Sequence, residues 1–223
     1  MNDASTDPLD EFAGSIRRRV RLVALLEASR EAGIEPLPTL RLHLIAYLAN
    51  VLSPVWDMPS VDGSVLKRSG GPFYPDLQND LDRLVGLGVV RVEKLRHQRI
   101  DDDRYRLDGS YRLNPDLAEP ILTYLSTMPE EAAATRFVRE LVLALSALTD
   151  EEIDRAITED ATYANPKIGN DNVIDFGEWL SANYSAAAAE KVGDLVPSGA
   201  VVGASEKVHL YVRHLRRRLQ GGR

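Results

Sequence analysis

Apolar positions recur at helical spacing soon after the chain begins. Ile16, Val20 and Val23 fall on one side of a helix from about Ser15 to Ala32, and Leu22 and Leu26 widen the stripe. Gly33 marks its stop, with Pro36 and Pro38 beyond. A second helix opens near Thr39, buries Leu44, Ile45, Leu48, Val51 and Leu52, and ends before Pro54. Residues 53–72 are irregular, with a short strand expected in "SVLKRS". Pro75 suits the first turn of a third helix, where its missing N–H costs nothing. Leu77, Leu81, Leu84, Val85 and Gly88 share one face of that helix. "VVRVEKLR" (89–96) alternates and is valine-rich, so it predicts a strand. "RYRL" (104–107) and "SYRLN" (110–114) flank Asp108-Gly109, a two-residue hairpin signal. Closure around Arg99–Asp103 is the alternative.

Three helices followed by a hairpin predict a winged helix-turn-helix over residues 15–114. After it the pattern is helical. Asn114-Pro115, Thr127-x-x-Glu130 and Thr149-x-x-Glu152 resemble helix starts. "RFVRELVLALSAL" (136–148) is apolar nearly all round and predicts a buried helix. "TYANPKIGNDNV" (162–173) is a polar loop, and Asp175-x-x-Glu178 opens a helix carrying Phe176, Trp179 and Leu180. A flexible break over 196–205 precedes a last helix from Glu206 to Leu219, with Val208, Tyr211, Val212, Leu215 and Leu219 on one side. The expected fold class is mostly α with a small β-hairpin. Its parts are a disordered acidic lead (1–14), a winged helix-turn-helix (15–114) and an acidic helical region ending in a basic amphipathic helix (115–223).

Charge sharpens this division. The net charge is −7 over 223 residues, but residues 115–195 carry 16 acids against 5 bases, whereas residues 206–223 carry six bases against Glu206. A uniformly basic DNA binder is excluded, while local basic surfaces are not. There is no cysteine, which excludes a disulfide framework, thiolate metal sites and a cysteine nucleophile, and fits a reducing cytoplasm. No apolar run of about 18 residues predicts a membrane span, and the polar start MNDASTDPLDEF lacks the pattern of a signal peptide.

The glycines of "KRSGGPFYP" do not form a phosphate loop, because the lysine precedes them and no G-x-x-x-x-G-K-[ST] or G-x-G-x-x-G is present. Gly70 and Gly71 instead allow a sharp turn ahead of the third helix. None of His43, His97, His209 and His214 lies at a metal-ligand spacing, and there is no G-x-S-x-G elbow. His43 reads as a partly buried structural histidine. No catalytic residue, metal or cofactor is expected, although carboxylates in the acidic half keep a small enzyme as a third reading.

With Leu77, Leu81 and Leu84 inward, the third helix points Asp76, Asn79, Asp82 and Arg83 outward, with Asp80 at the flank. Three acids against one arginine make a poor surface beside a polyanion, so these outward residues are candidates for protein contact. The wing differs. Arg91, Lys94, Arg96 and Arg99 form a basic cluster with His97, followed by Asp101, Asp102 and Asp103. It suits either phosphate contact or a solvated hairpin with internal ion pairs. Arg17 and Arg18 of the first helix, and Arg213, Arg216 and Arg217 of the last, are further candidates for nucleic acid or an acidic partner.

The stretch "LIAYLANVLSP", then "GSVLKRSGGPFYPDLQNDLDRLVGLGVV", then a hairpin ending "YRLN", resembles the middle component of three-component ABC-ATPase systems. That family is related to the small third subunit of Lamassu-type antiphage defence complexes. The similarity covers about a third of the chain, residues 42–114, and is most specific in "GGPFYPDLQNDLDRLVGLGVV". It implies a winged-helix accessory subunit beside an SMC- or Rad50-like coiled-coil ATPase and a separate effector, often a nuclease. It supplies no catalytic motif. The expectation is therefore a non-enzymatic adaptor with no membrane partner and possible DNA contact within the complex. The rival is a stand-alone winged-helix DNA-binding regulator whose second half dimerises or senses.

Overall fold

A computed structural model describes residues 8–59, 64–68, 71–99, 105–165, 173–175, 183–194 and 202–221. These residues form a mostly helical fold with two small antiparallel sheets. Helix α1 (Pro8–Glu31) leads through β1 (Leu37–Pro38) into α2 (Thr39–Leu52) and a short 3-10 turn (Ser53–Trp56). Strands β2 (Ser64–Arg68) and β3 (Gly71–Phe73) precede α3 (Pro75–Gly86). Strands β4 (Val90–Arg99) and β5 (Tyr105–Leu113) follow. The remainder is α4 (Pro115–Ser126), α5 (Pro129–Leu145), α6 (Asp150–Glu159), β6 (Val173–Asp175), α7 (Tyr184–Asp194) and α8 (Ala204–Gly221). Among the described residues no helix is long and apolar enough to cross a membrane.

The apolar stripes seen in the sequence are largely the buried faces, except at the start of the α1 stripe, where Ile16 is 43% exposed and Val20 half-buried. Leu22, Leu26, Leu44, Ile45, Leu48, Leu81 and Leu84 of the first three helices pack with Leu141, Val142 and Leu145 of α5 and Val208, Tyr211 and Leu215 of α8. One core therefore runs through both the 15–114 and the 115–223 segments. Burial of such side chains is worth about 1.5–3 kcal/mol each before chain entropy is set against it.

One sheet has the order β1-β5-β4 and the other β3-β2-β6. Pairing of Leu37 with Tyr111 and Pro38 with Ser110 ties the start of α2 to the β4–β5 hairpin. The second sheet joins β2 to β6, with Val65 opposite Ile174. Gly71 sits at φ 127°, a backbone conformation that favours glycine, and a Cβ there would also press on the Leu40 Cδ1 methyl of α2 at 2.6 Å. Gly70 lies outside the described residues.

Several local expectations need correction. Helix α1 begins at Pro8 rather than Ser15, so residues 8–14 of the expected disordered lead are helical; residues 1–7 lie outside the described residues. Asp108-Gly109 does not turn the chain. β5 runs straight through it, pairing Arg96 with Asp108 and Arg99 with Tyr105, while residues 100–104, where the alternative closure falls, lie outside the described residues. The reason is tertiary. The Thr39 hydroxyl donates to Gly109 O (3.1 Å) and accepts from Gly109 N–H (3.3 Å), and a Cβ on Gly109 would meet Val92 Cγ1 at 3.1 Å. Gly109 serves a close approach opposite a bulge in β4, where Lys94 adopts φ 53°.

Thr127 does not cap α5. Its hydroxyl donates back to Tyr124 O at the end of α4, and Met128 occupies the cap before Pro129. Thr149 does cap α6, in a full capping box with Glu152. Asp175 is the last residue of β6, and the helix expected from Asp175-x-x-Glu178 falls on residues 176–182, which, like 166–172 and 195–201, lie outside the described residues.

Candidate functional site

The outward face of α3 borders a groove beside α1. Asp76, Asn79, Asp82 and Arg83 are all exposed, as the spacing of Leu77, Leu81 and Leu84 predicts. Asp82 accepts a hydrogen bond from Gln78 Nε2 at 2.9 Å, one turn away. Asp76 has no partner among the described residues. A cavity of about 300 Å³ opens between the two helices, lined by Phe12, Ser15 and Arg18 of α1 and by Asp76, Asn79, Asp80 and Arg83 of α3.

Asp80 is the floor of this groove and departs from expectation. It is only 1% exposed, not a flank residue. Its Oδ1 accepts from the Ser15 hydroxyl at 2.7 Å and its Oδ2 from Arg18 Nε at 2.8 Å. Arg19 and Arg83 stand 3.6 and 3.7 Å away. A buried carboxylate is tolerable only with such partners. The arrangement clamps α1 on α3 and thereby sets the width of the groove. It also redirects Arg18, which faces Asp80 rather than an outside partner. Arg21 pairs with Glu131 of α5 at 3.5 Å, and the more exposed Arg17 stands 3.9 Å from the same carboxylate. Arg17, Arg18, Arg19 and Arg21 are too close together along α1 to share one face. Which acids they meet is set by α3 and α5, far away in sequence.

The β4–β5 hairpin presents the second charged feature. Arg91, Lys94, Arg96 and His97 are exposed; Arg99 lies at the end of β4, its side chain outside the described residues. Arg91 stands directly opposite Arg112 in the register. Like charges so placed repel. Arg112 is relieved by Glu35 and Glu93 at 3.7 and 3.6 Å, while Arg91 donates to the neutral Asn114 Oδ1 at 2.9 Å. Lys94 and Arg96 have no ion-pair partner among the described residues. The bulge turns Lys94 and Leu95 outward together. Charge and bulging also protect an edge strand from pairing with other chains, and β4 is the edge of its sheet.

Basic helix α8 is divided. Arg216 binds Glu152 at 3.0 Å and Arg218 binds Glu159 at 3.0 Å, both on α6. Arg213 and Arg217 point to solvent without an ion-pair partner among the described residues. His209 stands 3.1 Å from Glu140, whose carboxyl is held below its ordinary value first by the Ser205 hydroxyl.

Sequence inspection missed two buried polar centres that join the halves of the chain. Asp160 is fully buried and accepts from five donors: Tyr47 hydroxyl (2.7 Å), Thr162 N–H (3.1 Å) and Tyr163 N–H (2.8 Å) at Oδ1, and Tyr211 hydroxyl (2.8 Å) and Ser185 hydroxyl (2.7 Å) at Oδ2. Burial, then the charge of Asp160, pushes the Tyr47 and Tyr211 hydroxyls well above their ordinary range. Nearby, Lys67 Nζ donates to Tyr163 O at 2.6 Å, and burial lowers its pKa. The second centre is Arg41 of α2, whose guanidinium meets Asp150 and Asp154 of α6. A polar residue at a position of the α2 helix that periodicity marks as inward is the only sequence signal for either.

His43 is structural, as expected, but fully rather than partly buried. Tyr74 N–H donates to its Nδ1 at 3.3 Å, so Nε2 carries the hydrogen and donates to Gln78 Oε1 at 3.1 Å. Among the described residues no group of three or more His, Asp or Glu side chains is placed to share a metal ion. Asp80 and Asp160 are spent on holding helices together. No known protein family matches this sequence, and neither does any curated protein.

Proposed function

We propose that this chain is a non-enzymatic adaptor subunit of an SMC- or Rad50-like ABC-ATPase complex in bacterial antiphage defence, bridging the ATPase and an effector. In this reading residues 15–114 act as a winged helix-turn-helix that has been turned to protein contact. The order α1-β1-α2-α3-β4-β5, with β1 paired to β5, supports the winged-helix part. A β2–β3 hairpin takes the place of the short turn that normally separates the last two helices. The observation that carries the function is the exposed face of α3. It sets Asp76 and Asp82 where a DNA reader needs cations, and a groove-facing helix with those charges repels phosphate.

The test is affinity purification of the tagged full chain from its host, with the bound chains identified by mass spectrometry. An SMC-like ATPase at near-equal amount is expected, and it is lost from an Asp76→Lys, Asp82→Lys variant that keeps its helical content. Recovery of the chain alone, or with DNA only, refutes the adaptor. The second reading, a stand-alone winged-helix regulator, is favoured by one observation, the exposed Arg91, Lys94 and Arg96 of the hairpin. It requires binding to a DNA site by the protein alone, weakening steeply with salt.

A further inference from the structure

The open ridge of α3 carries its charges in a particular order. Asp76, Asn79, Arg83 and Leu87 follow one another at spacings of three, four and four residues, so they form one row along the helix. All four are exposed. The Asp76 carboxylate and the Asn79 amide have no partner among the described residues. Arg83 is only loosely held. Its Nη1 donates to the Ser15 hydroxyl at 3.3 Å and stands 3.7 Å from Asp80, and 63% of the side chain is exposed. Asp80 already accepts shorter bonds from Ser15 and Arg18.

This row is antisymmetric about its middle. Asn79 has a carboxylate one turn before it and a guanidinium one turn after it. At a rise of about 1.5 Å per residue, Asp76 and Arg83 are about 10 Å apart along the helix. A two-fold axis beside Asn79 turns a second α3 end for end. Each Asp76 then meets the Arg83 of the other copy, and the two Asn79 amides meet on the axis. An amide offers both a donor and an acceptor, so Asn79 can pair with its own copy. A surface of one sign selects a foreign partner. A row in this order is complementary to itself, which is what an isologous interface requires. Apolar area lies at the Arg83 end, where Leu87 is 64% exposed and Phe12 of α1, lining the groove with Arg83, is 62% exposed. In the two-fold arrangement both come to the first turn of the other copy's α3, where Pro75 is exposed.

We propose that α3 pairs antiparallel with α3 of a second copy of this chain, Asp76 against Arg83 in both directions and Asn79 against Asn79 on the axis. The pairing uses the face that the adaptor reading assigns to an ATPase. Both need Asp76, so the paired chain is the form that exists without that partner. Asp82 lies on the Gln78 side of the helix, outside the row.

Sedimentation of the purified full chain over a range of concentrations tests the pairing. The unaltered chain moves from the mass of one copy to that of two. Asn79→Glu and Asn79→Lys each set two like charges together on the axis and raise the dissociation constant by about tenfold or more. An equimolar mixture of these two variants pairs again, with one chain of each kind by native mass spectrometry, because opposite charges now meet on the axis. Asp76→Arg sets a cation against each Arg83 and also dissolves the dimer. The altered positions are exposed, and circular dichroism verifies that each variant keeps its helices. A chain that is monomeric at every concentration, a dimer that these variants leave intact, or a mixture that pairs no better than either variant alone overturns the proposal. No ATPase is present in this assay, so its failure leaves the adaptor reading standing. Failure to recover an ATPase from the host likewise leaves the dimer standing.

Discussion

The Arg41 cluster gives a prediction whose size depends on which partner is removed. The Arg41 side chain is 6% exposed, whereas those of Asp150 and Asp154 are 76% and 44% exposed. Its Nε and Nη2 reach the two oxygens of Asp154 at 3.0 and 3.2 Å, and Nη1 reaches Asp150 Oδ1 at 2.8 Å. Arg41→Met replaces the guanidinium with an apolar chain of similar length and releases two carboxylates that water can reach. The loss is that of a few partly exposed hydrogen bonds, about 1–2 kcal/mol. Asp150→Ala, Asp154→Ala leaves a guanidinium buried without its anions, which costs about 3–5 kcal/mol. With a urea slope of about 2 kcal/mol/M, that lowers the midpoint by roughly 1.5–2.5 M. The triple variant removes the stranded charge and regains most of the loss. Urea unfolding followed by circular dichroism measures all four proteins, and a cycle isolates the coupling. If Arg41→Met is as damaging as the double aspartate variant, or the triple variant is the least stable, burial of Arg41 does not govern the energetics and the reasoning fails.

Two further predictions follow from the other buried acids. The Tyr47 and Tyr211 hydroxyls titrate higher in the fold than in the unfolded chain, so the folded state keeps protons that the unfolded state loses. Their contribution is complete below the unfolded value of about 10 and declines as pH rises beyond it; unfolding free energy measured against pH shows that alkaline fall, and Tyr47→Phe, Tyr211→Phe makes it shallower. Asp80→Asn leaves Arg18 and Arg19 facing a neutral group in the α1–α3 seam and destabilises by about 2 kcal/mol. Amide exchange in the first half of α1 should accelerate most, and unchanged exchange there would show that the seam is held by apolar packing alone.

The helices were legible because their evidence is local. Leu77, Leu81 and Leu84 define the buried face of α3 at helical spacing, and that same spacing places Asp76, Asn79, Asp82 and Arg83 outside. Thr149 and Glu152 form the capping box their separation implies, because both partners lie within one turn. Features decided across distance were not legible. The Asp108-Gly109 pair has the chemistry of a turn, yet Thr39, 70 residues earlier, fixes Gly109 within a strand. Asp80 follows the polar pattern of a surface helix and is buried because Ser15 and Arg18 arrive from α1. Asp160 and Arg41 look like ordinary charged residues until the packing of α2 against α6, α7 and α8 supplies their partners. Periodicity records which side of an element avoids water, so the sequence by itself determined the helices and their inward faces. Which charge meets which depends on how those elements pack, and only the tertiary structure decided that Asp80, Asp160 and Arg41 are interior.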